Sequence, residues 1–402
     1  MKITRLEILK VPPSWVWLKL HTDEGLVGLG EPYLEGHPEA VIAEVRRLEA
    51  LLIGRDPCRV EELWEAMYRA SGYRGGPVTM SAISGIDIAL WDVAGKAAGL
   101  PVHRLLGGPC REAIKMYHAS GGAPAHQVEP GLPYRAAAGV GGAPRTGRPR
   151  GGQPQDFAEA ARRLVQEWGF RALKVHLGAG EDVRGGDRVA AIVERFAAAR
   201  EGAGPGVDVA IDVHNPHPTV GMQLLRELAP LRPLFVEEPM PLERVDVLEH
   251  IVRQSGTTAP VAAGERWMGK WVFFDALSRG LLAVVQPDIC HAGGVTECKK
   301  IAAIAEAAYA QVALHCPLSP IAIAASIQLD AAIPNFLVQE HNEVNTRRED
   351  GRTLIGKGYL RQPFVLDADG CVPVPQGPGL GIELDEDGLA RVMEKPWSER
   401  RG

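Results

Sequence analysis

Val207-Asp208-Val209-Ala210-Ile211-Asp212, Leu234-Phe235-Val236-Glu237 and Val261-Ala262-Ala263-Gly264-Glu265 are three short apolar runs, each ending on an acid. The acids lie 25 and 28 residues apart, about the length of one strand, one helix and two loops. That rhythm suits a parallel (β/α) barrel, whose chemistry sits at the carboxyl ends of its strands. Three converging carboxylates repel one another unless a cation lies between them. A hard divalent ion with oxygen ligands, Mg²⁺ before others, is the expected occupant of a site made by Asp212, Glu237 and Glu265.

Working outward, strand-like runs begin near Ala113, Ala172, Asp208, Leu234, Val261, Ala283, Gln311 and Phe336, with amphipathic segments such as Phe157 to Trp168 and Val295 to Ala310 between them. Alternating strands and helices imply a parallel sheet, and eight such units imply closure. An open doubly wound sheet fits less well, because no glycine-rich phosphate turn follows a first strand. Ahead of the barrel, Ile3 to Val11, Trp15 to His21 and Leu26 to Gly30 read as a meander. Val41 to Leu52, Val60 to Ala70 and Thr79 to Ala98 read as helices. The fold class is therefore α/β, with residues 1–112 as an α+β unit and 113–344 as the barrel. A Gly-Pro-rich tail, 345–402, is expected to pack back on the first unit.

One interval is abnormal. An insertion at about 123–155 is rich in Gly, Pro, Ala and Arg and lacks periodicity, which predicts a flexible loop leaving the first barrel strand. Arg135, Arg145, Arg148 and Arg150 make it basic.

Composition narrows the class of protein. The 402 residues are 46% hydrophobic and 23% charged, ordinary for a folded domain, and the net charge of −6 argues against general nucleic-acid binding. No apolar run of membrane length and no signal-peptide core are apparent, so no membrane partner is expected. Cys58, Cys110, Cys290, Cys298, Cys316 and Cys371 form no C-x-x-C pair and read as reduced thiols of a cytoplasmic protein.

Further polar residues end other strands. In Asp212-Val213-His214 the acid and the histidine share a strand face, which puts His214 beside whatever a metal binds and suits it to proton transfer. Asp288 ends the sixth strand and His315 the seventh, so a carboxylate is in reach of an imidazole whose tautomer it would fix. That pair is a candidate base for a weakly acidic C–H, with a structural ion pair as the alternative. Glu340 ends the eighth strand; protonated, it would donate to an enolate oxygen. Lys174 and His176 end the second and face the same mouth. Lys174 is read as a partner for a substrate carboxylate or as charge compensation for the acids, His176 as a partner for a hydroxyl.

Tyr73-Arg74-Gly75-Gly76-Pro77, Met80-Ser81-Ala82-Ile83, Phe235-Val236-Glu237-Glu238-Pro239, Ala262-Ala263-Gly264-Glu265-Arg266, Gln286-Pro287-Asp288, His291-Ala292-Gly293-Gly294-Val295-Thr296-Glu297-Cys298 and His315-Cys316-Pro317-Leu318 occur in this order. In that order the sequence resembles the mandelate racemase subgroup of the enolase superfamily, closest to its galactonate dehydratase branch. The resemblance implies a capping domain over a (β/α)₇β TIM-like barrel, with Mg²⁺ on Asp212, Glu237 and Glu265. It implies that His315, oriented by Asp288, removes the proton next to a sugar-acid carboxylate. His214 then protonates the departing hydroxyl, Glu340 supports the enediolate, and a 2-keto-3-deoxy acid results. Capping loops would bring Tyr33, Tyr73 and Arg74 over the substrate. A homo-oligomer is also a family expectation. Two features depart from the branch: His176 stands where it has Asn, and the 123–155 insertion stands where it has a short loop. A racemase or epimerase using the same intermediate, and a barrel that binds acid sugars without turnover, are the competing readings.

Overall fold

The computed structural model describes residues 1–70, 72–120, 153–177, 187–341 and 345–398. The expected insertion, with its four arginines, lies outside the described residues up to position 152. Just beyond it, Gln153 and Asp156 form a reciprocal capping box on the helix Pro154–Gln166.

The chain begins with an antiparallel sheet of β1 (Ile3–Val11), β2 (Trp15–Thr22) and β3 (Val27–Gly30), followed by helices Pro38–Leu52, Val60–Arg69 and Pro77–Ala98. Leu18, Leu20, Val45, Leu48, Trp64, Ile83, Ile86 and Leu90 close a core between these elements. The last helix lies directly on β3. A Cβ on Gly30 would stand 1.9 Å from the Gly85 carbonyl oxygen, so glycine is what allows the approach. This helix is long and apolar enough to cross a membrane, which the sequence reading passed over, but most of it is buried in the protein core.

The barrel follows. β4 (Ala113–Ser120), β5 (Ala172–His176), β6 (Asp208–Asp212), β7 (Val236–Glu237), β8 (Val261–Ala263), β9 (Val284–Val285), β10 (Gln311–Val312) and β11 (Gln339–His341) are parallel. Each pairs with its neighbour in chain order, β11 pairs with β4, and a bridge from Val312 to Phe336 closes the ring. Tyr117, Ala172, Ala210, Phe235, Ala262, Val284, Ala313 and Val338 form a separate buried cluster, one residue from each strand or its flank. It is an apolar plug inside the ring. Two residues further along, strand alternation points the next side chains to the same interior, and these are Lys174, Asp212, Glu237, Gln286, His315 and Glu340. The polar layer therefore rests on the plug.

The tail is more regular than its composition predicts. β12 (Thr346–Glu349), β13 (Arg352–Ile355) and β14 (Phe364–Val365) form an antiparallel sheet. Asp350 and Gly351 both take positive φ in the first turn, and an Asp-Gly pair is a strong hairpin signal. β15 (Cys371–Pro373) then pairs antiparallel with β4, and the Leu380 amide donates to Asp92 at 2.8 Å. The tail thus holds the barrel as well as the first unit.

The two units are locked by buried polar contacts. Glu31, fully buried after β3, accepts from the backbone amides of Ser319 and Ala322, each at 3.2 Å, and from the Ser319 hydroxyl. These donors open the helix Pro320–Ala332, where a carboxylate also meets the positive end of the helix dipole. We expect Glu31→Ala to lower the unfolding free energy by about 2–4 kcal/mol, since it strips charge-assisted bonds from buried donors. Urea denaturation measures this; a loss under about 0.5 kcal/mol would show that the clamp is not needed.

Candidate active site

Three acids converge at the carboxyl ends of β6, β7 and β8, with ligand oxygens of Asp212, Glu237 and Glu265 within 4.8 Å of one another. Asp212 and Glu237 end their strands directly. Glu265 arrives differently. The inward position after β8 is Gly264, at φ +141°, where a Cβ would strike the Phe273 ring at 2.5 Å. The backbone turns there, and the following residue supplies the acid. Glu238 (φ 47°), His214 (φ 52°) and Asn215 (φ 54°) are non-glycine residues in the left-handed region at the exits of β7 and β6. Such strain gathers at sites where side chains must be aimed.

Beneath the acids lies one buried cation. Lys174, 1% exposed, bonds Glu237 at 2.8 Å and Glu340 at 3.0 Å. Of the two roles expected for Lys174, the structure displays charge compensation of the acids. The Gln286 amide donates to the other oxygen of Glu237 at 2.8 Å. Arg266 pairs with both Glu238 and Glu265.

The charge remains in excess. Burial pushes Glu237 well above the usual carboxylate range; Lys174 opposes this, and Asp212, Glu265 and Glu340 add to it. Burial likewise drives Glu238 up to about 7, reinforced by Glu265. A buried carboxylate kept from ionising by its neighbours is what a cation would relieve. The donor set is all carboxylate, which fits a hard divalent ion.

The histidines occupy two sides of this cluster. The Nδ1 atoms of His214 and His176 approach Asp212 Oδ2 at 2.8 and 2.9 Å, and the His214 amide donates to Oδ1 at 2.8 Å. His176, Asp212 and His214 form a second group whose ligand atoms lie within 4.8 Å. Burial works to raise Asp212, but His214 and His176 outweigh it and hold it well below its usual range. Asp212 in turn pushes His214 up to about 9. On the far side, His315 Nδ1 bonds Asp288 Oδ2 at 2.7 Å, while its Nε2 lies 3.5 Å from Glu265 and 4.0 Å from Glu340. Burial would lower His315; Glu265, Glu340 and Asp288 overcome it and push the imidazole up to about 10. Glu340 accepts from the Cys316 amide at 3.0 Å. Burial opposes its ionisation, yet Lys174 and His315 hold it down to about 2.

The capping residues are placed less uniformly. Tyr33 is fully buried and packs in the main core, whereas Tyr73 is 94% exposed and Arg74 is exposed on the same loop. Sequence reasoning passed over the roles of Gln286, Glu238, Arg266 and Gly264; strand alternation from Val284 would have pointed Gln286 inward. All six cysteines are free thiols.

Residues 11–107 match the family described as mandelate racemase / muconate lactonizing enzyme, N-terminal domain, and residues 156–388 match that described as enolase C-terminal domain-like. A D-galactonate dehydratase of Variovorax paradoxus is 40% identical over 98% of this chain and 95% of its own length. One from Pectobacterium atrosepticum is 38% identical over 96% and 93%. Among solved structures, an enolase from Agrobacterium radiobacter bound to Na and L-malate superposes with a TM-score of 0.82, at 30% identity, over 97% of this chain and 95% of the other. An enolase superfamily member from Salmonella Typhimurium does so with a TM-score of 0.82, at 30% identity, over 97% and 98%.

Two outcomes follow from this arrangement. Lys174→Met leaves Glu237 and Glu340 without their buried counter-charge and should cost about 3–5 kcal/mol of stability. Denaturant titration of the metal-free protein measures it, and an unchanged midpoint would contradict the assignment. His341, next to Glu340, is buried between the Tyr117 carbonyl and the Thr346 hydroxyl, and burial lowers it to about 4. Its folded value lies below its unfolded one, near 6.5, so as pH falls the unfolded chain takes up the proton first. Its contribution should therefore be complete above about pH 6.5 and be lost toward pH 4, by about 3 kcal/mol. His341→Asn should flatten that part of the wild-type stability–pH curve; parallel curves would refute it.

Proposed function

The chain belongs to the mandelate racemase subgroup of the enolase superfamily, and from that premise we propose that it is a hydro-lyase. It removes water from a galactonate-like sugar acid and yields a 2-keto-3-deoxy acid. The observation that carries this reading is the pair of histidines on different sides of the acid cluster, each held by its own carboxylate: His315 by Asp288 and His214 by Asp212. A binding protein has no need of two proton carriers. The relatives named D-galactonate dehydratase support the substrate class.

A divalent cation, Mg²⁺ in this proposal, would be held by Asp212, Glu237 and Glu265, and it supplies positive charge against the charge growing on the substrate carboxylate while offsetting the acids that push His315 up. The remaining roles belong to side chains. Asp288 accepts from His315 Nδ1, which leaves Nε2 to take the proton beside the substrate carboxylate and yields the enediolate. His214, half exposed and hydrogen-bonded through Nδ1 to Asp212, donates to the departing β-hydroxyl. Glu340 and Lys174 fix the electrostatic floor beneath them. His176 is the proposed partner of a substrate hydroxyl, with Tyr33, Tyr73 and Arg74 proposed on the capping side. We further propose that the protein works in the cytoplasm as a homo-oligomer on a small-molecule acid, without a nucleic-acid or membrane partner. The free thiols suit a reducing compartment.

The test is a screen of acid sugars for 2-keto-acid formation, with exchange of the substrate α-proton followed in deuterated water. We expect His315→Asn to abolish exchange, His214→Asn to retain exchange but block water loss, and excess chelator to stop turnover. Full turnover in chelator, or normal exchange by His315→Asn, would sink the reading. Exchange that inverts the α-carbon without water loss would identify a racemase instead.

A further inference from the structure

Ser81, Ser84 and Asp87 recur every three residues on the helix Pro77–Ala98, and all three are fully buried. All three reach one segment of the barrel, the loop and helix start that follow β9. Ser84 Oγ accepts the Gly293 amide at 2.9 Å, and Asp87 accepts the Thr296 amide at 3.0 Å and its hydroxyl at 2.6 Å. Those contacts hold the loop's frame. Ser81 differs, because its Oγ meets a titratable ring there, His291 Nδ1, at 3.0 Å. His291 Nε2 in turn lies 3.8 Å from Asp288 Oδ2, the same oxygen that holds His315 Nδ1 at 2.7 Å.

We propose that Ser81 and His291 are positioning residues for proton removal: a helix of the capping unit sets the His291 ring, His291 braces Asp288, and Asp288 orients His315. The proposal rests on the dehydratase reading for the role of His315 as base; the chain of contacts itself is geometric.

The chemistry of each link favours this order. A serine hydroxyl donating to Nδ1 leaves the proton of a neutral His291 on Nε2, the atom that faces Asp288. The other Asp288 oxygen accepts the Cys290 amide at 2.7 Å. The Cys290 amide holds one oxygen and His315 Nδ1 the other, while the His291 ring, 3.8 Å from Oδ2 and so beyond bonding distance, stands against the carboxylate and limits its rotation, and with it the direction of the bond to His315. Anchoring the loop alone would not require Ser81, since Ser84 and Asp87 already bind its backbone.

The experiment compares wild type with Ser81→Ala, His291→Phe, His291→Gln and His315→Asn, using Ser84→Ala as a control that grips the same loop without touching the chain. Exchange of the substrate α-proton in deuterated water, kcat, KM, Mg²⁺ affinity by calorimetry and Tm are read for each. Ser81→Ala and His291→Phe should slow exchange and kcat roughly tenfold to a hundredfold, the cost of a misaimed group. KM and Mg²⁺ affinity should stay within about twofold of wild type, because the lost interaction acts only in the chemical step. His291→Gln keeps an N–H donor and should recover much of the loss. Ser84→Ala should lower Tm with exchange retained. Normal exchange in Ser81→Ala and His291→Phe, beside none in His315→Asn, overturns the proposal and leaves the dehydratase reading intact. Loss of exchange in step with KM, Mg²⁺ affinity and Tm, equally in Ser84→Ala, would make the chain a structural brace only and also overturn it. Normal exchange in His315→Asn removes the reading on which the proposal stands.

Discussion

Negative charge packed into a barrel mouth, much of it buried, is the constraint around which the rest of the structure is arranged. Asp212, Glu237, Glu238, Glu265, Glu340 and Asp288 occupy neighbouring strand ends, and most are fully buried. Lys174 and Arg266 answer part of that charge, and both are already committed to protein carboxylates. His214 and His315 answer more, both raised above the ordinary imidazole range by the acids around them. Such an arrangement is costly for a fold to keep. It becomes intelligible when a cation and an anionic substrate join it, because each then meets groups already oriented toward it.

The barrel makes this crowding possible by layering. The apolar plug of alanines, Tyr117, Phe235, Val284 and Val338 fills the ring and keeps water from the floor of the site. Because side chains alternate along a strand, the next interior positions are fixed in direction before any chemistry is considered. Lys174, Asp212, Glu237, Gln286, His315 and Glu340 all stand two residues beyond a plug residue. A shift of one residue in any strand would turn its polar group outward and its apolar group into the mouth. The requirement that fills the core therefore also sets the register of the site.

Much of this was legible because it depends on local patterns. The starts of the barrel strands, the three-strand meander and the helices of the first unit follow from hydrophobic period and turn residues. The acids were found because each closes an apolar run. What escaped depends on contacts distant in sequence or on backbone geometry. Gly264 reads as an ordinary glycine until the Phe273 ring is seen beside it. Lys174 faces the mouth by alternation, but only the closed ring shows that two carboxylates consume its charge. The burial of Tyr33 in the main core likewise depends on partners distant in sequence. The order in the tail escaped for a different reason: its Gly and Pro content masked the Asp-Gly hairpin at Asp350 and Gly351.

The buried contacts of the capping unit argue for a role beyond covering the barrel mouth. Glu31 caps a barrel helix, Trp17 bonds Ser319 at 2.8 Å, and Trp64 bonds the Gly293 carbonyl at 2.8 Å. Asp87, pushed up to about 7 chiefly by burial, stays in place because Thr296 donates to both its oxygens. These are directional bonds in a dry interface, where an unmet donor or acceptor is expensive. They fix distance and rotation between helix and loop far more tightly than apolar packing alone. The loop so fixed carries Asp288 and His291, beside the imidazole that faces the acids. A barrel strand can aim a side chain only as well as its neighbours hold it, and β9 (Val284–Val285) is two residues long. The capping helix supplies rigidity that so short a strand lacks, and through Ser81 it also reaches His291, whose ring stands beside Asp288 and so bears on the direction of the His315 ring.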